Sequence, residues 1–247
     1  MDTKAIGIVA CISAIIGVIG GITVSTNDSS YDADKLAVDY ETVDVLLKNN
    51  ERVFVVDIRT TEQYQTGHID GASHDVIDTE TLDKRVKTLQ NRLPEIISAY
   101  NFVLVDNTGI EAKKAAKTMN EMGIQTFYLD GGMNSISDTL ESSPKTIIQS
   151  QKLSEKLASD EDLFLLDVRE PDELLKSKID GSVNIPLAEI FQPNKMDEIP
   201  KDKPVIVICG SGNRATIATY AMAQEDIDFQ VLDGGINAWN SFHESGT

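Results

Sequence analysis

One cysteine of this sequence stands where a nucleophilic thiol could be held. The stretch KPVIVICGSGNRATIATYAMA, residues 203–223, is rich in β-branched residues up to Cys209, passes Gly210 and Gly212, and continues with an alanine-rich helical pattern. A strand–loop–helix turn places backbone N–H groups and the positive end of the helix at the loop, which favours an anion. A thiol there is favoured as the thiolate. Arg214 adds a fixed cation, suited to an anionic substrate or to the thiolate.

The alternative interpretation of Cys209 is a structural cysteine at a strand end, because free cysteine is often a core residue. The two loop glycines allow the backbone to curl around the sulfur without Cβ clashes. Together with the arginine and the helix that follows, they favour a reactive thiol. The other cysteine, Cys11, lies in an apolar N-terminal segment.

Four motifs occur twice in the chain and in the same order. They are VFVVDIR and LFLLDVR at 53–59 and 163–169, IDGA and IDGS at 69–72 and 179–182, FVLVDNTGIEAKKAAKTM and VIVICGSGNRATIATYAM at 102–119 and 205–222, and LDGG at 129–132 and 232–235. Such a series indicates a duplicated domain of about 105 residues.

The order of elements within each copy predicts an α/β fold. Apolar strands of four to six residues alternate with helical patterns, as in DYETVDVLLKN at 39–49 before the first strand motif. This alternation is typical of a mainly parallel sheet flanked by helices. We predict two such domains, at residues 36–142 and 143–247, joined by a tether at 25–35 to the N-terminal segment.

The N-terminal segment is predicted to be a hydrophobic helix. Residues 5–24 carry no charge, and 20 residues match the span of a bilayer core. Two main alternatives stay open for residues 1–24, an uncleaved transmembrane anchor or a signal peptide that is removed, and a lipid-modified Cys11 is a minor third. Lys4 before the apolar run places the soluble domains outside the cytoplasm, either membrane-anchored or exported.

Composition narrows the function classes. The net charge is −18, which disfavours nucleic acid because phosphate binding relies on clustered Lys and Arg. Membrane contact is expected only through the N-terminal segment. The three histidines, at 68, 74 and 243, are not paired with cysteines at metal spacing, so no metal site is expected.

Taken together, LLDVREPDEL, KIDGSVNIP, VIVICGSGNRA and VLDGGINAW resemble the rhodanese domain of the thiosulfate/3-mercaptopyruvate sulfurtransferase superfamily. The resemblance covers residues 36–242 in two copies. It implies a sulfurtransferase that needs no cofactor. The residues that it assigns to the site are Cys209 as the persulfide-forming acceptor, Gly210, Ser211, Gly212 and Asn213 as the cradle, and Arg214 as the contact to the anion.

The resemblance leaves the substrates open. CGSG is similar to the start of the mercaptopyruvate-type loop, but the Asn-Arg ending is not, so the donor stays undecided. We expect a small anionic sulfur donor such as thiosulfate, and a thiol, cyanide or a protein as the sulfur acceptor.

The first copy departs from the pattern at the position of the thiol. Asp106 stands where the second copy has Cys209, and Glu111 where it has Arg214. A carboxylate cannot carry sulfane sulfur, so the first domain is predicted to be inactive. Arg59 and Arg169 recur in both copies, which favours a structural role for them.

Several functions remain to be weighed for the second copy. The leading hypothesis is an enzyme that turns over a sulfur donor. A second is a persulfide carrier or partner-binding module with poor turnover of free donor. A cysteine phosphatase is disfavoured because Cys209 to Arg214 spans six residues, whereas the phosphatase relatives use seven. A redox sensor or a degenerate scaffold completes the alternatives.

Overall fold

The computed structural model describes residues 33–49, 51–136, 146–192, 194–225 and 227–245. The predicted N-terminal helix at 1–24, most of the tether and the predicted boundary at 142–143 lie outside these residues. Within the described part of the chain, no helix combines the length and the apolar character needed to cross a membrane.

The first sheet has five strands, all paired in parallel, in the order β1-β5-β4-β2-β3. The strands are β1 (Ala37–Val38), β2 (Val53–Asp57), β3 (Ser73–His74), β4 (Asn101–Val105) and β5 (Thr126–Leu129). The helices between them are α1 (Tyr40–Lys48), α2 (Thr61–Thr66), α3 (Thr79–Arg92), α4 (Pro94–Ala99) and α5 (Ile110–Glu121). Short 3-10 helices at Ala33–Leu36 and Gly132–Ser135 begin and end this unit.

The second sheet repeats this arrangement, with the parallel order β6-β10-β9-β7-β8. Its strands are β6 (Ile147–Ile148), β7 (Phe164–Asp167), β8 (Val183–Asn184), β9 (Val205–Ile208) and β10 (Phe229–Leu232). Its helices are α6 (Ser150–Ala158), α7 (Pro171–Leu174), α8 (Leu187–Ile190), α9 (Asn213–Met222) and α10 (Gly235–Ser245), with 3-10 turns at Met196–Glu198 and Ala223–Glu225. The predicted α/β fold with two parallel sheets is confirmed.

Successive residues of the strands divide between different cores, because side chains of a strand point alternately to its two faces. Val53 and Val55 join a cluster confined to the first unit, and Ile206 and Ile208 join one confined to the second. The residues between them join a third cluster that both units share. Each sheet is therefore buried on both faces, as a parallel sheet requires.

The shared cluster joins the two units through aromatic side chains. The ring centroid of Tyr220, on α9, lies 6.1 Å from that of Phe54 and 6.2 Å from that of Phe102. Phe191 approaches Phe54 from the second unit at 5.9 Å. Aromatic pairs at these separations stabilise an interface beyond the area they bury. The first unit thus packs directly against the helix that follows Cys209.

The Asp-x-Arg motif forms the same buried ion pair in both units. Arg59 Nη2 lies 2.6 Å from Asp57 Oδ2 and also donates to the Gly67 carbonyl at 2.6 Å. Arg169 and Asp167 repeat the pair at 2.6 Å. All four side chains are nearly inaccessible to solvent. The structural role predicted for the two arginines is confirmed, since each ties the end of a strand to the loop beyond it.

Asp57→Asn should destabilise the first unit by about 3–5 kcal/mol, because it leaves the Arg59 guanidinium buried without its counter-ion. Lys117→Met is the matched control: Lys117 pairs with Glu121 at 3.8 Å on the exposed face of α5, where an ion pair contributes roughly 0–1 kcal/mol. Urea unfolding followed by circular dichroism measures both losses. Equal losses in the two variants would contradict the structural role.

Candidate active site

Cys209 lies directly after β9, the central strand of the second sheet, and before α9. The Gly212 N–H donates to Cys209 Sγ at 3.1 Å. Gly212 has φ +99°, a conformation that side chains rarely adopt. The thiol is only 1% exposed. Of the six predicted loop residues, Cys209 to Gly212 therefore lie in the turn between β9 and α9, and Asn213 and Arg214 are the first two residues of α9.

The second LDGG motif holds the backbone of this loop. The Ile236 N–H donates to the Cys209 carbonyl at 2.8 Å, and the Asn237 N–H donates to the Gly210 carbonyl at 3.2 Å. Gly235, at φ +58°, comes so close that a Cβ there would collide with the Cys209 carbonyl oxygen. The glycines of this motif therefore serve a turn and close packing.

Arg214 is held by a carboxylate that the sequence analysis did not single out. Its Nη1 and Nη2 lie 2.6 and 2.8 Å from the two oxygens of Glu173, on α7. The hydrogen bonds from Arg214 lower the pKa of Glu173 from 4.5 to about 2, and those to Glu173 raise the pKa of Arg214. Arg214 Nη2 lies 3.3 Å from where a Cβ on Gly210 would be. The guanidinium thus lies against the loop, already paired.

The loop of the first unit is filled by its own side chain. Asp106 Oδ1 accepts from Thr108 N–H at 3.0 Å and from Gly109 N–H, while Oδ2 accepts from Glu111 N–H at 2.7 Å and Ala112 N–H at 3.3 Å. Four backbone amides therefore converge on one carboxylate at the position that corresponds to the thiol. The fold at this turn is an anion cradle.

Asn213, predicted as part of the substrate cradle, is engaged by the first unit. Its carbonyl oxygen accepts from Arg85 Nη1 at 3.1 Å, and its Oδ1 accepts from the same nitrogen. Its Nδ2 donates to Thr88 Oγ1 at 2.6 Å. Arg85 and Thr88 lie on α3 and were not found from the sequence, because contacts across more than 120 residues leave no local pattern.

Two further interfacial groups complete this contact. Asp75 accepts from both Arg85 Nη2 and the Tyr220 hydroxyl at 2.6 Å. Burial is the largest single influence on Arg85 and lowers its pKa, but the charge and hydrogen bond of Asp75, with smaller contributions from Tyr220 and Cys209, together raise the pKa above its ordinary value. Burial and Asp75 both raise the pKa of Tyr220. Neither Asp75 nor Tyr220 has a counterpart in the other repeat, where Ile185 and Lys117 stand at the equivalent positions. This difference between the repeats could have pointed to the Asp75–Tyr220 pair.

A cavity of about 380 Å³ borders the loop where the two units meet. The loop contributes Ser211, Gly212 and Asn213 to its wall, and the first unit contributes Lys84 and Arg85. Ser211 is exposed. This cavity brings solvent, and groups able to contact an anion, next to the turn that holds Cys209.

The histidines form no metal site with other side chains of the described ranges, where no group of three or more His, Cys, Asp or Glu could hold an ion. His68 stacks on Tyr64, and burial lowers the pKa of His68. His74 bonds the Arg59 carbonyl at 2.9 Å. His243 lies against Trp239, which is partly buried against the core of the second unit.

The chain resembles known proteins over both repeats. The sequence profile of the family described as rhodanese-like domain matches residues 40–139 and 150–242. A sulfurtransferase of Allochromatium vinosum is 41% identical over 93 residues, which cover 37% of this chain and 85% of that protein.

Solved structures give similar matches. The crystal structure of a rhodanese-related protein from Thermoplasma volcanium is 33% identical, with a TM-score of 0.36, and the match covers 39% of this chain and 91% of that one. A thiosulfate sulfurtransferase from Pseudomonas aeruginosa is 20% identical with a TM-score of 0.34, over 94% of this chain and 43% of that one.

Asp106→Ala should destabilise the first unit by about 2–3 kcal/mol, because it leaves several buried N–H groups without an acceptor. Asp106→Asn keeps one side-chain oxygen and should cost less. Denaturant unfolding of the three proteins gives both losses. Wild-type stability in Asp106→Ala would show that the carboxylate does not hold this loop.

The stability that the Arg214–Glu173 pair contributes should disappear on acidification. Because the folded pKa of Glu173, about 2, lies below its ordinary value of 4.5, the contribution is complete above about pH 4.5 and is lost as the pH falls towards 2. The gap in denaturation midpoint between the wild type and Glu173→Gln should therefore stay constant from about pH 7 to 5 and narrow below 4.5. A gap that widens on acidification would contradict the pairing.

Proposed function

Because the chain belongs to the rhodanese-like domain family, we propose that it is a sulfurtransferase in which Cys209 accepts a sulfane sulfur as a persulfide and passes it on. Three observations support this proposal. The family profile matches both repeats, the curated relative from Allochromatium is a sulfurtransferase, and the thiol of Cys209 lies at the head of α9 with a loop amide on its sulfur.

The observation that carries the proposal is the filled loop of the first unit. There, the same turn directs the amides of residues 108, 109, 111 and 112 at the carboxylate of Asp106. The equivalent amides of the second loop are those of Ser211, Gly212, Arg214 and Ala215. The sulfur of cysteine is one bond from Cβ, whereas the carboxylate oxygens of aspartate are two bonds from it. We therefore expect these amides to have room for a second, anionic sulfur atom bonded to Cys209.

The chemistry proceeds in two displacements at sulfur. The Cys209 thiolate attacks the outer sulfur of thiosulfate, a new S–S bond forms, the donor's S–S bond breaks, and sulfite leaves with the bonding electrons. An acceptor such as cyanide or a thiolate then attacks the terminal sulfur and restores the Cys209 thiolate. Charge is conserved in both steps, and neither requires a metal or an organic cofactor.

Loop amides would act on the charge that collects on the transferred sulfur. Hydrogen-bond donors already in place when charge develops lower the barrier without reorganisation, as in an oxyanion hole. We assign this role to the cradle of Gly210, Ser211, Gly212 and Asn213 with the amides that follow it. Arg214 would contact the anionic part of the donor from the same turn, and the cavity beside the loop is the proposed route of entry.

A persulfide carrier is the second candidate, and burial of the thiol favours it. Cys209 is 1% exposed, and both guanidinium nitrogens of Arg214 that could meet a donor are bonded to Glu173. A free anion has to displace that carboxylate or approach from another side. A carrier that receives sulfur from a partner protein would therefore show little turnover of free thiosulfate.

Thiocyanate formation from thiosulfate and cyanide tests the enzyme directly, with the full-length protein in mild detergent. Cys209→Ser should reduce the rate to the uncatalysed background, because serine cannot hold sulfane sulfur. Cys11→Ser, which removes the chain's other cysteine, and Asp106→Asn should retain the wild-type rate per folded molecule.

Intact mass spectrometry separates the two candidates. A gain of one sulfur atom on Cys209 without turnover would favour the carrier. Neither turnover nor a sulfur adduct with thiosulfate, mercaptopyruvate or a persulfide donor would overturn the proposed function.

A further inference from the structure

The residues that follow each LDGG motif hold the loop backbone in both units, but the two loops differ in what else fixes them. The loop of the first unit is fixed from inside, because the Asp106 carboxylate binds its amides. In the second loop, one backbone N–H, that of Gly212, reaches Cys209 Sγ, and a sulfur atom still has to be accommodated. Because this loop must leave room for a bound sulfur atom, we expect residues outside the loop to fix it.

Helix α3 of the first unit makes that external contact at Asn213, the first residue of α9. Arg85 bonds both the carbonyl and the side-chain oxygen of Asn213, and Thr88 accepts from its amide nitrogen. The equivalent residue of the first loop, Ile110, is 58% exposed. The contact therefore belongs to the second loop alone, where the thiol is.

The contact is itself rigid. Arg85 and Asp75 are buried, with side chains 8% and 1% exposed, and form an ion pair. Asp75 also binds the hydroxyl of Tyr220, two turns further along α9. The first unit therefore holds α9 at its first residue and again at Tyr220, so the start of this helix cannot shift without breaking buried hydrogen bonds.

We propose that α3 of the first unit is a positioning element for the Cys209 loop, acting through Arg85 and Thr88 on Asn213. This inference rests on the proposed sulfur transfer. By fixing the residue after Gly212, the pair Arg85–Thr88 keeps the loop amides directed at Cys209 Sγ and at the sulfur it carries. The inactive unit then contributes to catalysis by orientation, without touching the substrate.

Positioning of this kind should affect kcat more than KM. The outer sulfur of the donor stays negatively charged throughout the transfer, and it comes within reach of the loop amides only as its bond to Cys209 forms. An interaction that strengthens only at that point lowers the barrier without tightening the binding of the donor. Loosening Asn213 should therefore slow the transfer of sulfur to Cys209 in a single turnover.

Thr88 offers a matched pair of variants in a Cys11→Ser background. Thr88→Val removes the acceptor of the Asn213 amide and should lower kcat about five- to tenfold with KM within about twofold. Thr88→Ser keeps the hydroxyl and should restore the rate. Arg85→Met removes both hydrogen bonds from Arg85 to Asn213, but it also leaves Asp75 buried without its ion-pair partner. The test therefore depends on Thr88.

Coupling to Asn213 distinguishes positioning from general loosening of the interface. In Asn213→Ala, adding Thr88→Val should have no further effect, because the bond it removes is already absent. Gln224→Ala is the control, since Gln224 bonds the Val53 carbonyl across the interface beyond the other end of α9. Its kcat should equal that of the wild type.

The alkylation rate of Cys209 by iodoacetamide provides a readout that does not depend on sulfur transfer. Thr88→Val should raise that rate several-fold, because the freed loop opens more often, and Thr88→Ser should not. Absence of sulfur transfer in every protein, with alkylation that still responds to Thr88, would refute the proposed function and leave the positioning intact. Alkylation and kcat that match the wild type in Thr88→Val, or equal losses in Gln224→Ala, would overturn the positioning role.

Discussion

The N–H groups at the start of a helix need an acceptor, and the rest of this structure depends on how the two copies supply one. In the first copy the acceptor is covalently built in: the Asp106 carboxylate receives four amides and closes the turn. In the second copy the residue is Cys209, whose sulfur receives the Gly212 N–H. A turn completed by its own side chain is stable and has no place for a ligand. In a turn that begins with a thiol, the side chain accepts from fewer N–H groups. The proposed function uses the N–H groups that the thiol leaves for a second sulfur atom.

This difference explains why the two units are not interchangeable. The ring of Tyr220 packs near Phe54 and Phe102, and its hydroxyl donates to Asp75. Helix α9, which follows the thiol, is therefore buried against the first unit. The first unit is stable around its own carboxylate and can serve as a rigid support. Duplication thereby allows one copy to lose the thiol while its surface becomes part of the environment of the other copy's loop.

Much of this arrangement could be predicted from the sequence. Motif spacing predicted the strands, the two parallel sheets and the turn from Cys209 to Arg214, because these depend on short-range patterns of apolar residues, glycine and charge. The structural role of Arg59 and Arg169 followed from their recurrence in both copies. Trp239, the only tryptophan of the chain, lies at the edge of the second unit's core, partly buried beside His243.

The interface could not be predicted in the same way. Arg85 and Thr88 lie on α3, whose many charged residues are typical of a solvent-exposed helix. Nothing near them in the sequence identifies Asn213 as their partner. The signal that was present is asymmetry between the repeats. Asn213 corresponds to Ile110, and Glu173 to Gln63. Positions where the two copies differ in polarity or in charge are those where the two units stopped being equivalent.

The proposed persulfide is an anion, and the chain that would hold it is acidic. The chain carries a net charge of −18, and the two guanidinium groups nearest the loop are each paired with a carboxylate, Arg214 with Glu173 and Arg85 with Asp75. Little net positive charge is left to attract a free dianion. The backbone N–H groups carry fixed dipoles that neither titrate nor exchange partners, and they act over the short distance of a hydrogen bond. The backbone N–H groups would therefore stabilise negative charge on an atom that is covalently attached inside the loop. A singly charged terminal sulfur on Cys209 meets that requirement.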